Sequence, residues 1–168
     1  PPTQSESFTI DVFSNVLEGP FRLDANLAVT PALVSTWTNP DERTWVFRLR
    51  EGVRFSDGTP LTSDDVVASL KAAVEMPFPT GTFLSAIEKV EPNGPSEFRV
   101  TTREPSAVLP SYLAAGFVIS ARALAKRPVL PIGTGPYVYA GRERGREVRL
   151  TRNRFHDPPA PFDEVLLQ

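Results

Sequence analysis

The chain has 168 residues, 40% of them hydrophobic and 23% charged, with 18 basic and 20 acidic residues giving a net charge of -2. That length supports one domain with a real core, and the balanced charge lacks the basic face that nucleic-acid binding demands. Cysteine is absent, which excludes disulfides, cysteine–zinc sites and thiol nucleophiles.

The chain opens on Pro1-Pro2-Thr3-Gln4 with no signal peptide, as a processed or trimmed chain would. The spacing of Phe8, Val12, Phe13, Val16 and Leu17 predicts a helix over 7–18, ended by Gly19-Pro20. Residues 27–34 are apolar but contain Pro31, so they read as a short edge strand or an extended connection. A strand at Trp37-Thr38, a turn over 39–42 and a strand over 43–49 follow, with Trp45, Phe47 and Leu49 on one face.

Val53 and Phe55 read as a half-buried strand leading into a tight turn at Asp57-Gly58. Thr62 or Ser63 then caps a helix whose packing face is Val66, Val67, Leu70, Ala73 and Val74. Asp64 and Asp65 sit in its first turn, where the helix dipole favours anions. No glutamate stands three residues after Ser63, so the capping box reads as incomplete. Pro77 and Pro79 stop this helix. "IEKVEP" and "EFRVTT" form a hairpin around Asn93-Gly94-Pro95. A short helix over 107–114, a buried strand at "FVIS" and a short helix over 120–126 come next. "GPYVYAG" and "EVRLTRN" form a further hairpin, and "FDEVLLQ" a final strand. The arginines at 142, 144, 146, 149, 152 and 154 are interrupted by Glu143 and Glu147, and read as the solvated faces of that hairpin. The 18 prolines are scattered as turn punctuation, and no apolar run is long enough to span a bilayer. The class is α+β.

Catalytic apparatus is hard to find. His156 is the single histidine, which excludes two-histidine metal sites, and no Gly-x-Ser-x-Gly elbow exists for it to serve. It reads as a surface histidine in a proline-rich loop. Asp64 and Asp65 are adjacent on a helix and point about 100° apart, so they do not share a proton. "GTGPY" at 133–137 lacks the Gly-Lys-Ser/Thr of a phosphate cradle, and Pro136 removes an amide; it reads as a tight turn into a strand.

The order of motifs carries more. The stretch "PALVSTWTNPDERTWVFRLREGVRFSDGTPLTSDDVVASLKAA" closely resembles the signature region of the family 5 bacterial solute-binding proteins, receptors for peptides, dipeptides and nickel. The resemblance rests on Pro31, Leu33, Trp37, Phe47, Leu49, Arg50, Gly52, Val53, Phe55, Asp57, Gly58, Pro60, Thr62, Asp65 and Val66. "VFSNVLEGPFRLD", "IEKVEPNGPSEFRVTTREP", "PIGTGPYVY" and "RNRFHDPPAPFDEV" extend it in order along nearly the whole chain. The chain departs from the pattern at Arg154 and Phe155, at His156 near a Tyr or Trp position, and at Val34 in place of Ala.

This resemblance implies the first lobe of a type II periplasmic-binding-protein-like clamshell, a mixed sheet with hairpins and short helices. Residues 1–168 would be a partial N-terminal lobe, with 20–130 a β-rich subdomain, 131–168 a return to the main sheet, and the second lobe absent. The implied function is extracytoplasmic binding of a small peptide or other solute for an ABC-type importer, without catalysis, cofactor or metal. Importer permease subunits are the implied protein partners; a lipid anchor or the permease would supply the contact with the membrane. A ligand-sensing domain of a cytoplasmic transcriptional regulator is the competing expectation, and a full-length N-terminus separates the two. The family's cleft maps onto Leu17, Glu18, Gly19, Pro20 and Phe21, where Gly19-Pro20 reads equally as a helix stop, and onto Thr82, Phe83, Gly133, Thr134 and Gly135. The glycine turn is expected to need positive φ and to share one concavity with residues 18–21.

Overall fold

Strand alternation and helical spacing are realised over most of the chain. The computed structural model describes residues 12–75, 80–126, 129–143 and 147–167. The first helix, α1, is described over residues 12–16. It is followed by β1 (Phe21–Leu23), β2 (Val29–Pro31), β3 (Val34–Asp41), β4 (Thr44–Leu49) and α2 (Ser63–Val74). Then come α3 (Thr80–Leu84), β5 (Ile87–Pro92), β6 (Glu97–Thr102), α4 (Leu109–Leu113) and α5 (Ala121–Leu124). The hairpin β7 (Tyr137–Glu143) and β8 (Glu147–Arg152) and the strand β9 (Glu164–Leu167) complete the order. Residues 7–11 of the expected first helix, the helix stop at Pro77 and Pro79, the hairpin turn at 144–146 and Gln168 lie outside the described residues.

Among the described residues three antiparallel sheets form: β1-β2, a four-stranded β3-β4-β6-β5 and a three-stranded β7-β8-β9. Trp45, Phe47 and Leu49 are all buried, as their alternation requires. Phe47 and Phe98 face each other across β4 and β6 and stack with ring centroids 5.0 Å apart. Val66, Val67, Leu70 and Ala73 of α2 close over this sheet and join Phe55, Val90 and Val100 in the larger core. Each such valine, leucine or phenylalanine, fully buried, contributes about 1.5–3 kcal/mol. A second cluster joins Val12, Val16 and Leu17 to Tyr137, Val148, Leu150 and Ala160, so α1 rests on the three-stranded sheet.

The start of α2 corrects the sequence reading. Thr62 is the N-cap and Asp65, rather than a glutamate, closes the box. Asp65 Oδ2 accepts the Thr62 N–H at 3.0 Å and its hydroxyl at 2.6 Å, while Oδ1 accepts the Ala121 N–H at 2.8 Å. One buried carboxylate therefore caps α2 and fastens α5 to it. Asp65→Ala is expected to cost about 2 kcal/mol, since it removes the cap and leaves the Ala121 amide unpaired. An unchanged denaturation midpoint would contradict that role.

Other short elements also differ. Residues 117–120 form no ladder: Val118 makes an isolated bridge to Glu18, and Ile119 is clamped by Ser69 Oγ through its N–H and its carbonyl, each at 3.0 Å. With no neighbouring strand alongside among the described residues, this apolar run stays a connection. Val53 and Phe55 likewise lie outside any strand, with Arg54 bridging only to Pro60. The three-residue β1 was not anticipated; it pairs Phe21 with Pro31 and Leu23 with Val29.

Candidate functional site

The Asp57-Gly58 turn is where the scaffold meets the site. Asp57 Oδ1 accepts the Thr59 N–H at 3.0 Å and the Thr59 hydroxyl at 2.6 Å. Gly58 adopts φ +86°, a region that side chains with a Cβ rarely occupy. Its bare Cα faces the Phe155 ring, which a Cβ would meet at 3.0 Å. The Ser56 N–H donates to the Gly133 carbonyl at 2.9 Å, tying this turn to the glycine turn.

The positive φ expected at the glycine turn is absent, and its need for glycine has a different reason. Neither Gly133 nor Gly135 is among the glycines with positive φ. Both are needed because the turn presses on the end of α1. A Cβ on Gly133 would collide with the Val16 carbonyl oxygen and lie 2.5 Å from Leu17 Cδ2; one on Gly135 would lie 2.8 Å from that oxygen. The Gly135 N–H donates to Val16 O at 3.0 Å. Buried Asn153 locks the next segment on, donating from Nδ2 to the Gly135 carbonyl at 2.8 Å and accepting the Phe155 N–H at 3.0 Å.

These contacts frame an open concavity of about 500 Å³. Its wall holds Glu18 and Thr134 with Phe155, His156 and Asp157, and the run from Arg48 to Arg54 faces them. Of the expected site residues, Glu18 and Thr134 line this space. Leu17 and Phe21 are apolar and turn into the two cores, at 3% and 1% exposure. Gly19 and Pro20 are also buried, and their carbonyls receive the amides of Leu33, Ala32 and Val34. Gly133 and Gly135 hold Thr134 in place from behind. Thr82 is exposed on α3 and does not line the concavity; the Phe83 side chain lies outside the described residues.

Sequence reasoning placed His156 on the surface, but its side chain is only 15% exposed. Its Nε2 stands 3.8 Å from Glu18 Oε1, and Nδ1 lies 2.6 Å from the Pro158 carbonyl. Glu18 Oε2 and Thr134 Oγ1 are buried and have no hydrogen-bond partner. The signal that would have found His156 is its place two residues before Pro158 in the stretch that departs from the family pattern.

The Glu18 carboxylate raises the His156 pKa above its ordinary 6.5; burial opposes this and the Pro158 carbonyl adds to it. The folded chain thus binds this proton more tightly than the unfolded chain does. The associated stability is fully present below the ordinary value and is lost as pH rises through the higher folded value. Melting temperature is expected to fall as pH rises above about 6.5 and through the higher folded value, and His156→Gln to flatten that fall. A wild-type melting temperature indifferent to pH over this window would contradict the pairing.

Residues 28–168 match the family described as bacterial extracellular solute-binding proteins, family 5 Middle. The chain belongs to that family of solute-binding proteins. It is 28% identical over 126 residues to a probable peptide ABC transporter periplasmic-binding protein, y4tO, of Sinorhizobium fredii, covering 71% of this chain and 24% of that protein. Among solved structures, the periplasmic binding protein AgaA of A. tumefaciens R10, in complex with agropinic acid, superimposes with a TM-score of 0.84 at 28% identity, over 95% of this chain and 35% of that one. The oligopeptide-binding protein AppA of Bacillus subtilis, in complex with a nonapeptide, has the same fold over 94% of this chain and 34% of its own, at a TM-score of 0.84 and 21% identity. The chain therefore spans about a quarter to a third of the proteins it resembles, and its fold is that of a lobe of a periplasmic binding protein.

Proposed function

We propose that this chain supplies one wall of the solute cleft in a receptor that delivers small peptides or related solutes to an ABC-type importer. The observation that carries the reading is the concavity itself. The end of α1, the glycine turn and the Asn153 loop, distant in sequence, converge on it and present Glu18, Thr134 and His156 from a rigid frame. The scaffold around β3 to β6 and α2, within 20–130, is the β-rich subdomain that holds the wall; residues 131–168 close it from the other side. Receptors of this kind work by hinge closure on a trapped ligand, so a single wall offers part of the contacts. The whole receptor would operate outside the cytoplasmic membrane, held there by a lipid anchor or by docking on permease subunits.

Calorimetric titration of the chain with di- and oligopeptides tests this. Affinities in the micromolar range or weaker are expected. Nanomolar binding would mean that the site is complete without a facing lobe and would overturn the one-wall reading.

A further inference from the structure

The loop from Asn153 to Ala160 is pinned at both ends and lightly held between them. Asn153 is buried; its N–H donates to the Pro136 carbonyl at 2.9 Å and its Nδ2 to the Gly135 carbonyl at 2.8 Å. Ala160 is buried in the smaller core. Arg154, Asp157, Pro158 and Pro159 are exposed, and Phe155 lies against Gly58. Among the described residues, the polar tie from the middle of this loop to another part of the chain is the approach of His156 to Glu18, just past α1.

That tie depends on one proton. The Pro158 carbonyl, 2.6 Å from Nδ1, can only accept, and so can the Glu18 carboxylate, whose Oε1 lies 3.8 Å from Nε2. Either neutral tautomer turns a ring lone pair toward one of these oxygens; the imidazolium alone offers an N–H to each. A neutral ring keeps the closer contact, to Pro158 in its own loop, and gives up the one to Glu18. Deprotonation therefore cuts the long-range tie and spares the local one.

The neighbouring charges do not replace it. From β4 and the segment after it, Arg48 pairs with Glu97 at 2.9 Å, and Arg54 donates to the Gly58 carbonyl at 2.9 Å. Arg50 acts on His156 as a like charge. Glu51 on that side is exposed, as are Asp157 and Arg154 on the loop itself, where Arg154 stacks on the Phe155 ring. The Glu18 carboxylate holds the proton on His156 against burial and against Arg50. Near this position the family pattern carries Tyr or Trp, which do not titrate near neutrality, and this chain carries its single histidine.

We propose that Glu18 and His156 form a proton-operated latch: protonated His156 fastens residues 154–159 to the end of α1, and loss of the proton frees that segment while Asn153 and Ala160 stay anchored. The wall of the concavity is then firm at mildly acid pH and looser once His156 is neutral, whatever solute it receives. The opening is local, because the freed residues are mostly exposed and both cores stay packed. An open segment binds the His156 proton less tightly than a closed one. Opening therefore becomes easier as pH rises above the ordinary 6.5, and levels off once the folded imidazole has lost its proton.

Hydrogen–deuterium exchange of backbone amides tests the latch on the full 168-residue chain without solute, read by NMR and referenced at each pH to the unstructured rate. The Phe155 and His156 amides, which donate to Asn153 at 3.0 and 3.3 Å, are expected to be less protected than those of the central strand β6. Their protection is expected to fall as pH rises above about 6.5, and to level off where the one imidazole has finished titrating. Glu18→Gln is expected to lose most of this pH dependence and His156→Tyr all of it. Protection at Phe155 and His156 as strong as in β6 at every pH would show that the segment opens only with the whole chain, and overturns the latch. So does protection indifferent to pH in the wild type, or a fall of undiminished size in either variant. The β6 amides show that each variant is folded; if Glu18→Gln does not fold, His156→Tyr decides alone.

Discussion

Phe55→Ala lowers the stability of the chain by about 3–5 kcal/mol, measured as a fall in denaturant midpoint at unchanged slope. Phe55 is fully buried, in the cluster that contains Phe47, Val66 and Leu70. Its N–H donates to the Thr59 carbonyl at 2.9 Å and its carbonyl accepts the Gly58 N–H at 2.8 Å, so its backbone is fixed by the turn. A side chain truncated on a fixed backbone leaves a cavity that the surroundings cannot collapse into, which puts the cost at the upper end. Phe55 is bound to the Asp57-Gly58 turn, and Gly58 in turn faces Phe155 in the wall of the concavity. A loss below about 1 kcal/mol would mean that the site repacks, and that the turn does not depend on this anchor.

Gly133→Ala is expected to be nearly as damaging for the opposite reason. The added methyl would collide with the Val16 carbonyl oxygen, and the obstruction is backbone, which cannot rotate away. Overpacking of this kind costs about 1–3 kcal/mol, and a clash with main chain belongs at the top of that range. The turn would have to lift from α1, stretching the Gly135 to Val16 hydrogen bond of 3.0 Å and the Asn153 contact of 2.8 Å. Thr134 would move with it, so amide shifts at Thr134 and Glu18 should accompany the loss of stability. A variant as stable as the wild type would show that the close approach is not what requires glycine there.

Much of the scaffold was legible because it is locally encoded. The alternation of Trp45, Phe47 and Leu49, the spacing from Val66 to Ala73 and the Asn93-Gly94 turn each specify one element from neighbouring residues. The ordered motifs then identified the family. What escaped is set by contacts across the chain. "FVIS" has the composition of a strand, but among the described residues only Val118 forms a bridge, to Glu18. β1 is too short to show a period, and it exists because residues 29–31 lie beside it. Gly133 and Gly135 were recognised as necessary, yet the cause is the nearby end of α1, more than a hundred residues earlier in the chain. His156 was missed on the same ground, since its partner Glu18 is equally remote in sequence and the loop around it looks like surface. Thr62 and Asp65 were both noticed, but as separate capping and dipole features rather than as one closed box.

The central claim is that Glu18, Thr134 and His156 lie on one wall that receives a solute. Titration of the ¹⁵N-labelled chain with trialanine, read residue by residue, tests it most directly. The account predicts weak, saturable shifts concentrated at Glu18, Arg50, Thr134 and His156, with the buried face of α2 and the strands β5 and β6 unmoved. Shifts centred elsewhere, or none at the cleft under conditions where the peptide binds, would contradict it.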